Sequence, residues 1–309
     1  MEMKLYYCHN QIDRAGNLRK DEVWLSGQLK SPQALLMPYW RSKSLLSADH
    51  SSLGYLLLRQ SEHVFSAASE TIFLGLDNDR PIFAADLSCH ELEEASQLVG
   101  IGEFQDLRKV APQLSQEQAS LAAYARGLMQ WHKSHAFCSH CGSRSAVIQG
   151  GHARECANEA CKTMCFPRLD PAIITLIEHI PEHGDPVCLL GVHDTPSGRF
   201  CTTLAGFVEP GETLEGAVER EMMEEVGLVV KDIRYVASQP WPFPASIMIG
   251  FTAKSDSLKF TLDKDEVPNA AWFTAKELLD ASKAKKFSLS KTDSIARFLI
   301  ENWIYKNIS

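Results

Sequence analysis

Long apolar runs are missing from this 309-residue chain. None approaches the roughly 18 to 20 consecutive apolar residues that a membrane-crossing helix requires. The expected partners therefore include no membrane. An excess of positive charge is missing too. Thirty-one Lys and Arg face 39 Asp and Glu, a net charge of −8. Such a surface does not favour non-specific binding along nucleic acid or anionic lipid. The first residues, MEMKLYYCHNQIDRAGN, hold no apolar signal core, and Tyr305 to Ser309 form no retention or peroxisomal tail. The expected location is the cytoplasm. No repeat recurs at a fixed period. Apolar residues make up 45% and charged residues 23%, which excludes a disordered or fibrous chain.

At about 150 residues per domain, the length predicts two domains and room for a small third. Residues 1 to about 113 read as mixed strand and helix. Leu53–Leu58, Thr71–Leu76 and Pro81–Ala85 are expected strands, and a helix is expected from Ser115 to about Lys133. This region shows no chemistry and reads as a structural or dimerising domain. Further on, Ala172–Ile177, Val187–Gly191 and Ile247–Phe251 read as core strands. Helices are expected over Thr213–Val226, Lys276–Ala281 and Asp293–Tyr305.

Of nine cysteines, five fall between Cys138 and Cys165. An odd count without a secretion signal argues against a disulfide framework. Cys138-x2-Cys141 and Cys156-x4-Cys161 can each present two thiolates from a tight turn. Together they complete a closed tetrahedral shell for a structural Zn2+. A set of free thiols is the plainer alternative. Cys165 reads as a spare thiol or a substitute for Cys161. His132, His135 and His140 read as surface or interface histidines.

The segment from Gly206 to Leu228 carries the chemistry. Pro210-Gly211 makes a turn into a helix that Gly227 ends, with Leu214, Ala217, Val218 and Met222 as its apolar face. Glu221, Glu224 and Glu225 stand at i, i+3 and i+4, where like charges destabilise a helix unless a cation gathers them. Oxygen ligands suit Mg2+ or Mn2+. A solvated acidic face is the bland alternative.

Gly206, Glu212, Arg220, Glu221, Met222, Glu224, Glu225, Gly227 and Leu228 fill the nine specified positions of G-x5-E-x7-R-E-U-x-E-E-x-G-U, with U a bulky apolar residue. The segment resembles the Nudix box of hydrolases that cleave nucleoside diphosphates linked to another moiety. The resemblance implies an α/β fold, an α/β/α sandwich around a mixed sheet. Ser238-Gln239-Pro240-Trp241-Pro242-Phe243-Pro244-Ala245-Ser246 resembles the hallmark of the NADH pyrophosphatase subfamily. The four-cysteine ribbon, Tyr124-Ala125-Arg126-Gly127-Leu128 and Pro167-Arg168-Leu169-Asp170-Pro171 are similar to that subfamily as well.

The implied organisation is an N-terminal α+β, divergent Nudix-like domain over 1–130, a zinc ribbon over 131–168 and a Nudix hydrolase domain over 169–309. The implied reaction is hydrolysis of NADH or NAD+ to NMN(H) and AMP, or removal of NAD caps from RNA 5′ ends. Glu221, Glu224, Glu225 and Glu266, with the Ala205 carbonyl, align with ligands of the catalytic Mg2+ or Mn2+, and Glu224 or Glu266 with the base. Phe166 and Phe207 align with aromatics that flank adenine. Gln239, Pro240, Trp241, Pro242, Phe243, Pro244, Ala245 and Ser246 align with the substrate-binding segment, and Ala296 with a backbone contact to substrate. A homodimer is implied. Two further readings compete: ADP-ribose or another nucleoside diphosphate as substrate, and a non-catalytic zinc ribbon binding nucleic acid or protein.

Overall fold

The structure is a computed structural model and describes residues 5–196, 198–283 and 287–308. Met1 and Ser309, where the targeting reading begins and ends, lie outside the described residues. The chain divides into two compact units. One comprises Tyr7–Leu169 with Pro242–Ala245; the other comprises Asp170–Trp241 and Ser246–Ser309 with Met1–Tyr6.

The first unit contains the helices α1 (Glu22–Leu29), α2 (Glu62–Ala67), α3 (Leu92–Val99), α4 (Leu107–Val110) and α5 (Gln116–Ser134). Its strands are β1 (Leu35–Trp40), β2 (Lys43–Leu46), β3 (Leu56–Leu57), β4 (Glu70–Asp77), β5 (Arg80–Asp86) and β6 (Glu103–Asp106). They form one sheet in the order β4-β5-β1-β2-β6, with β3 on β1. The expected strand over Leu53–Leu58 shortens to β3, because only Leu56 and Leu57 find partners in β1, Leu36 and Leu35. A 3-10 turn follows over Leu58–Gln60. Ser115 caps α5 through the Gln118 amide, as the sequence predicts.

A three-stranded ribbon follows: β7 (Ser145–Ile148), β8 (Ala153–Cys156) and β9 (Met164–Cys165). His132, expected at the surface or an interface, is buried at the end of α5. Its Nε2 bonds the Gly151 carbonyl at 2.8 Å, and its Nδ1 meets the Arg154 guanidinium at 2.7 Å. Both ring nitrogens are thus partnered inside the unit.

The second unit is built on β10 (Asp170–His179), β11 (Val187–Thr195), β12 (Gly198–Thr202), β13 (Leu204–Phe207), β14 (Lys231–Trp241), β15 (Ser246–Lys254), β16 (Ala270–Thr274) and β17 (Ser288–Leu289). The order is β14-β15-β10-β11-β12-β17, with β13 on β10 and β16 on β11. The sheet is mixed: β10 runs parallel to β15 and antiparallel to β11 and β13. Its helices are α6 (Leu214–Val226), α7 (Ala275–Lys283) and α8 (Ile295–Asn307).

Period-two alternation splits the buried residues between the two faces. Ile173, Ile177 and Leu189 pack with Ala217, Val218, Met222 and Val226 of α6. Ile174, Leu176, Cys188 and Leu190 pack with Leu278 of α7 and Leu299, Ile300 and Trp303 of α8. This is the expected sandwich of helices on both faces of a mixed sheet. Pro240 sits exposed in β14, the end strand of the sheet order, where a missing amide is tolerated.

Candidate active site and metal centres

The ribbon gathers four sulfurs. The Sγ atoms of Cys138, Cys141, Cys156 and Cys161 all lie within 4.8 Å of one another. Cys138 and Cys161 are 3.9 Å apart, and Cys141 and Cys156 3.4 Å. A tetrahedron with metal–sulfur bonds of about 2.3 Å has edges of about 3.8 Å, so the four positions fit that geometry. Each pair sits on a turn folded by its own backbone. The Cys138 amide bonds the Ser143 carbonyl at 2.7 Å, and the Cys161 amide bonds the Asn158 carbonyl at 2.8 Å. Cys165 stands outside the group, at the end of β9. Hydrogen bonds from Ser143 draw the Cys141 thiol down to about 6, whereas burial pushes Cys156 up to about 12. A cation is what would hold a thiolate at Cys156 at neutral pH.

The second centre is built on α6. Glu209-Pro210-Gly211-Glu212 turns with the Glu212 amide on the Glu209 carbonyl, and Thr213 Oγ1 accepts from the Gly216 amide. The helix ends at Gly227 in the left-handed region, φ 63°. There the Leu228 amide bonds the Met222 carbonyl and the Gly227 amide the Met223 carbonyl, so two of the last helical carbonyls are satisfied past the glycine. With the apolar face of α6 on the sheet, Glu221 and Glu225 flank it and are buried to 8% and 7% exposure. Glu266 completes a trio of carboxylates whose oxygens lie within 4.8 Å of one another. Its loop is tied to the end of α6: the Thr261 amide bonds the Val226 carbonyl, and the Asp263 amide bonds the Glu225 carbonyl.

Glu224 lies outside that trio and is exposed. Arg220 holds it. The guanidinium donates to Glu212, to Glu221 at 2.9 Å, to Glu224 at 2.9 Å and to the Phe207 carbonyl at 2.9 Å. These bonds pull Glu212 down to about 2. Among the described residues Glu225 has no such cation. Burial, then Glu221 and Glu266, push it up to about 8, and its buried Oε2 has no hydrogen-bond partner. An orphaned carboxylate oxygen facing two further carboxylates is a donor set that fits a hard divalent cation.

Gly206 explains how Glu221 reaches this point. A Cβ at Gly206 would lie 1.9 Å from the Glu221 carboxyl carbon. The box glycine is therefore the absence of a side chain where the carboxylate must pass.

Profiles of three families match the chain. A NADH pyrophosphatase-like rudimentary NUDIX domain matches residues 33–131, a NADH pyrophosphatase zinc ribbon domain matches 133–166, and a NUDIX domain matches 174–297. A NAD-capped RNA hydrolase, NudC, of Deinococcus radiodurans is 38% identical over 250 residues, 80% of this chain and 82% of that protein. The NudC of Mycobacterium bovis is 33% identical over 302 residues, 94% of this chain and 92% of that one. This chain belongs to the NADH pyrophosphatase family of Nudix hydrolases. The NAD-capped RNA hydrolase NUDT12 of Homo sapiens is 40% identical over 205 residues, 63% of this chain; the match spans 44% of that longer protein.

In this Nudix protein the aligned substrate residues have different surroundings. Gln239 is fully buried. Its Nε2 donates to the Tyr6 and Asp293 carbonyls at 3.0 and 2.8 Å, and its Oε1 accepts from the Ile295 amide at 2.8 Å. It thereby clamps the start of α8. Trp241 and Ala296 line a cavity of about 460 Å³ together with Phe200, Thr202, Met248 and Lys291. Ile174 in its wall belongs to the α8 side of the sheet, whereas its neighbour Ile173 packs on α6. The cavity thus opens on the face opposite α6. Ala205, paired with Ile174, is exposed on β13, and Phe207 ends that strand, 60% exposed. Ser246 is buried at the start of β15. Phe166 follows the ribbon and is exposed, in the unit that also holds Pro242, Phe243, Pro244 and Ala245. Two features have no expectation behind them: the clamp role of Arg220 and the walls of the cavity. The signal that could have found Arg220 is its place as the single cation fixed in the box.

Proposed function

We propose that this chain hydrolyses the pyrophosphate bond of NADH and NAD+ to give NMN(H) and AMP, and that the same centre removes NAD caps from RNA. The observation that carries this reading is the trio Glu221, Glu225 and Glu266, with an unpartnered buried oxygen on Glu225. These three and, following the family resemblance, the Ala205 carbonyl are the groups to hold Mg2+ or Mn2+. What a divalent cation supplies there is neutralisation of charge on the pyrophosphate oxygens and acidification of the attacking water.

The chain's own residues do the rest. Arg220 fixes Glu221 and holds Glu224 beside it by a second hydrogen bond. Glu266 is exposed and without a cationic partner among the described residues, so we assign it the proton from water. Glu224 is the second choice, because its carboxylate already accepts from Arg220. The ring of Phe207 offers adenine a stacking face worth about 1–3 kcal/mol. Trp241 and Ala296 in its wall support reading the cavity as the pocket for the remainder of the dinucleotide.

Four thiols around one centre support Zn2+ as the ion of the ribbon, with a structural role. We read the assembly as a cytoplasmic homodimer, following the family resemblance. Light scattering that returned the 34.5 kDa monomer mass would contradict the dimer.

Relatives named NAD-capped RNA hydrolases support the capped-RNA substrate specifically. Parallel rates on free NADH and on an RNA bearing a 5′ NAD cap test the reading. Cleavage of both at one site means that each substrate inhibits hydrolysis of the other. Cleavage of neither, by folded protein supplied with Mn2+, would end the proposal.

A further inference from the structure

The motif Tyr124-Ala125-Arg126-Gly127-Leu128 has no part in the chemistry above. Its arginine points at another motif. Arg126 donates from Nε to the Pro242 carbonyl at 2.7 Å and from Nη1 to the Ser42 carbonyl. Its guanidinium carbon stands 4.8 Å from the centroid of the Phe243 ring. Arg108 stands 4.5 Å from the same centroid and donates to the Phe243 carbonyl at 3.4 Å. Tyr7 meets that ring edge-on, with centroids 6.1 Å apart. The following residue, Gly127, has Pro242 as its nearest neighbour, 3.8 Å from where a Cβ would be.

Among the described residues no carboxylate pairs with Arg126. Its donors go to two backbone carbonyls, and its guanidinium carbon stands over an aromatic ring. A forked cation does this; a compact ammonium has no rigid fork to reach both carbonyls from over the ring. Pro242 and Phe243 are therefore gripped on backbone and ring together.

We propose that Arg126 is a positioning residue, which fixes Pro242 and Phe243 so that the stretch Pro242–Ala245 keeps one shape for substrate. This rests on the reading of the proline-rich segment as substrate-binding. Phe243 then serves as a handle for the two arginines rather than as a face for the nucleotide. The motif at 124–128 and the proline-rich motif are two halves of one device.

The test compares wild type, Arg126→Lys and Arg126→Ala by amide exchange over Trp241–Ser246 and by KM and kcat on NADH. Faster exchange confined to that segment is expected in Arg126→Ala, with a smaller rise in Arg126→Lys, which keeps the charge and loses the fork. KM is expected to rise about tenfold, as for one lost net hydrogen bond, while kcat changes less. Unchanged exchange over 241–246 in a folded variant overturns the proposal, and so does wild-type KM. If Arg126→Ala does not fold, Arg126→Lys decides by the same two readouts. Exchange needs no catalysis, so it separates failure of this inference from failure of the NADH reading.

Discussion

At Gly206 a single methyl would meet a carboxylate of the site. Because its Cβ would fall 1.9 Å from the Glu221 carboxyl carbon, Gly206→Ala must displace that carboxylate or the strand. Overpacking of this kind costs roughly 1–3 kcal/mol. We expect a lower melting temperature and loss of the stabilisation given by added Mn2+, read by thermal denaturation with and without the ion. Glu225→Gln should act in the other direction. It removes a buried carboxyl crowded by Glu221 and Glu266. The metal-free protein should gain about 1 kcal/mol or more at neutral pH while its response to Mn2+ disappears, the trade expected of a site built against stability. Denaturant titration of both proteins after EDTA checks it. Two imidazoles set a pH dependence in the first unit. Burial lowers His132 to about 4 and His152 to about 3. Each folded-state value lies below the unfolded value of about 6.5. The folded state then binds fewer protons, so stability is full above about pH 6.5 and falls as the pH drops towards 4 and 3. By about pH 5 each should have cost on the order of 2 kcal/mol. Urea midpoints from about pH 7 down to that point measure the slope, and His152→Phe should flatten it. No slope across that window would show that both rings are protonated in the fold.

Among elements, helices with caps and strands with apolar runs are legible in the sequence. Ser115 and α5, Thr213 and α6, and the runs of β4, β5, β10, β11 and β15 need only local rules. Strand β14 does not follow from them, because Lys231–Trp241 mixes charges with proline and is held by pairing with β15 rather than by its own pattern. Strand β13 is short and opens the box, where glycine answers to Glu221 and not to strand propensity. In the site, Glu221 and Glu225 are legible from helical spacing. Glu266 follows only from resemblance, since it lies far beyond the end of α6 in the chain, a separation that no helical spacing rule spans. It joins the trio through backbone bonds from Thr261 and Asp263 to the end of α6. The ribbon is the element whose order should depend on a metal. With four sulfurs within 4.8 Å of one another, its loops have a common centre and little apolar core of their own. Cys141→Ser should release the bound zinc and expose the ribbon to proteolysis, while α6 and its sheet keep their own core. Zinc content by mass spectrometry and limited proteolysis check it. A zinc-free ribbon that resists protease would contradict the assignment.

On the scale of the whole molecule, the net charge of −8 opposes an anionic dinucleotide at a distance. Attraction must then be local, at the carboxylates once a cation neutralises them. No helix among the described residues is long and apolar enough to cross a membrane. The three family profiles fall in succession along the chain, over 33–131, 133–166 and 174–297. The carboxylates, the cavity at Trp241 and the cap of α8 all belong to the last of these segments. Product analysis of NADH incubated with Mn2+ and either wild type or Glu225→Gln tests whether the carboxylate trio carries the hydrolysis. Wild type should give reduced NMN and AMP, none without the ion, and Glu225→Gln should lose at least about a thousandfold, the scale of removing a charge-stabilising group from an active site. Equal cleavage by both proteins, or cleavage that persists in EDTA, would contradict it.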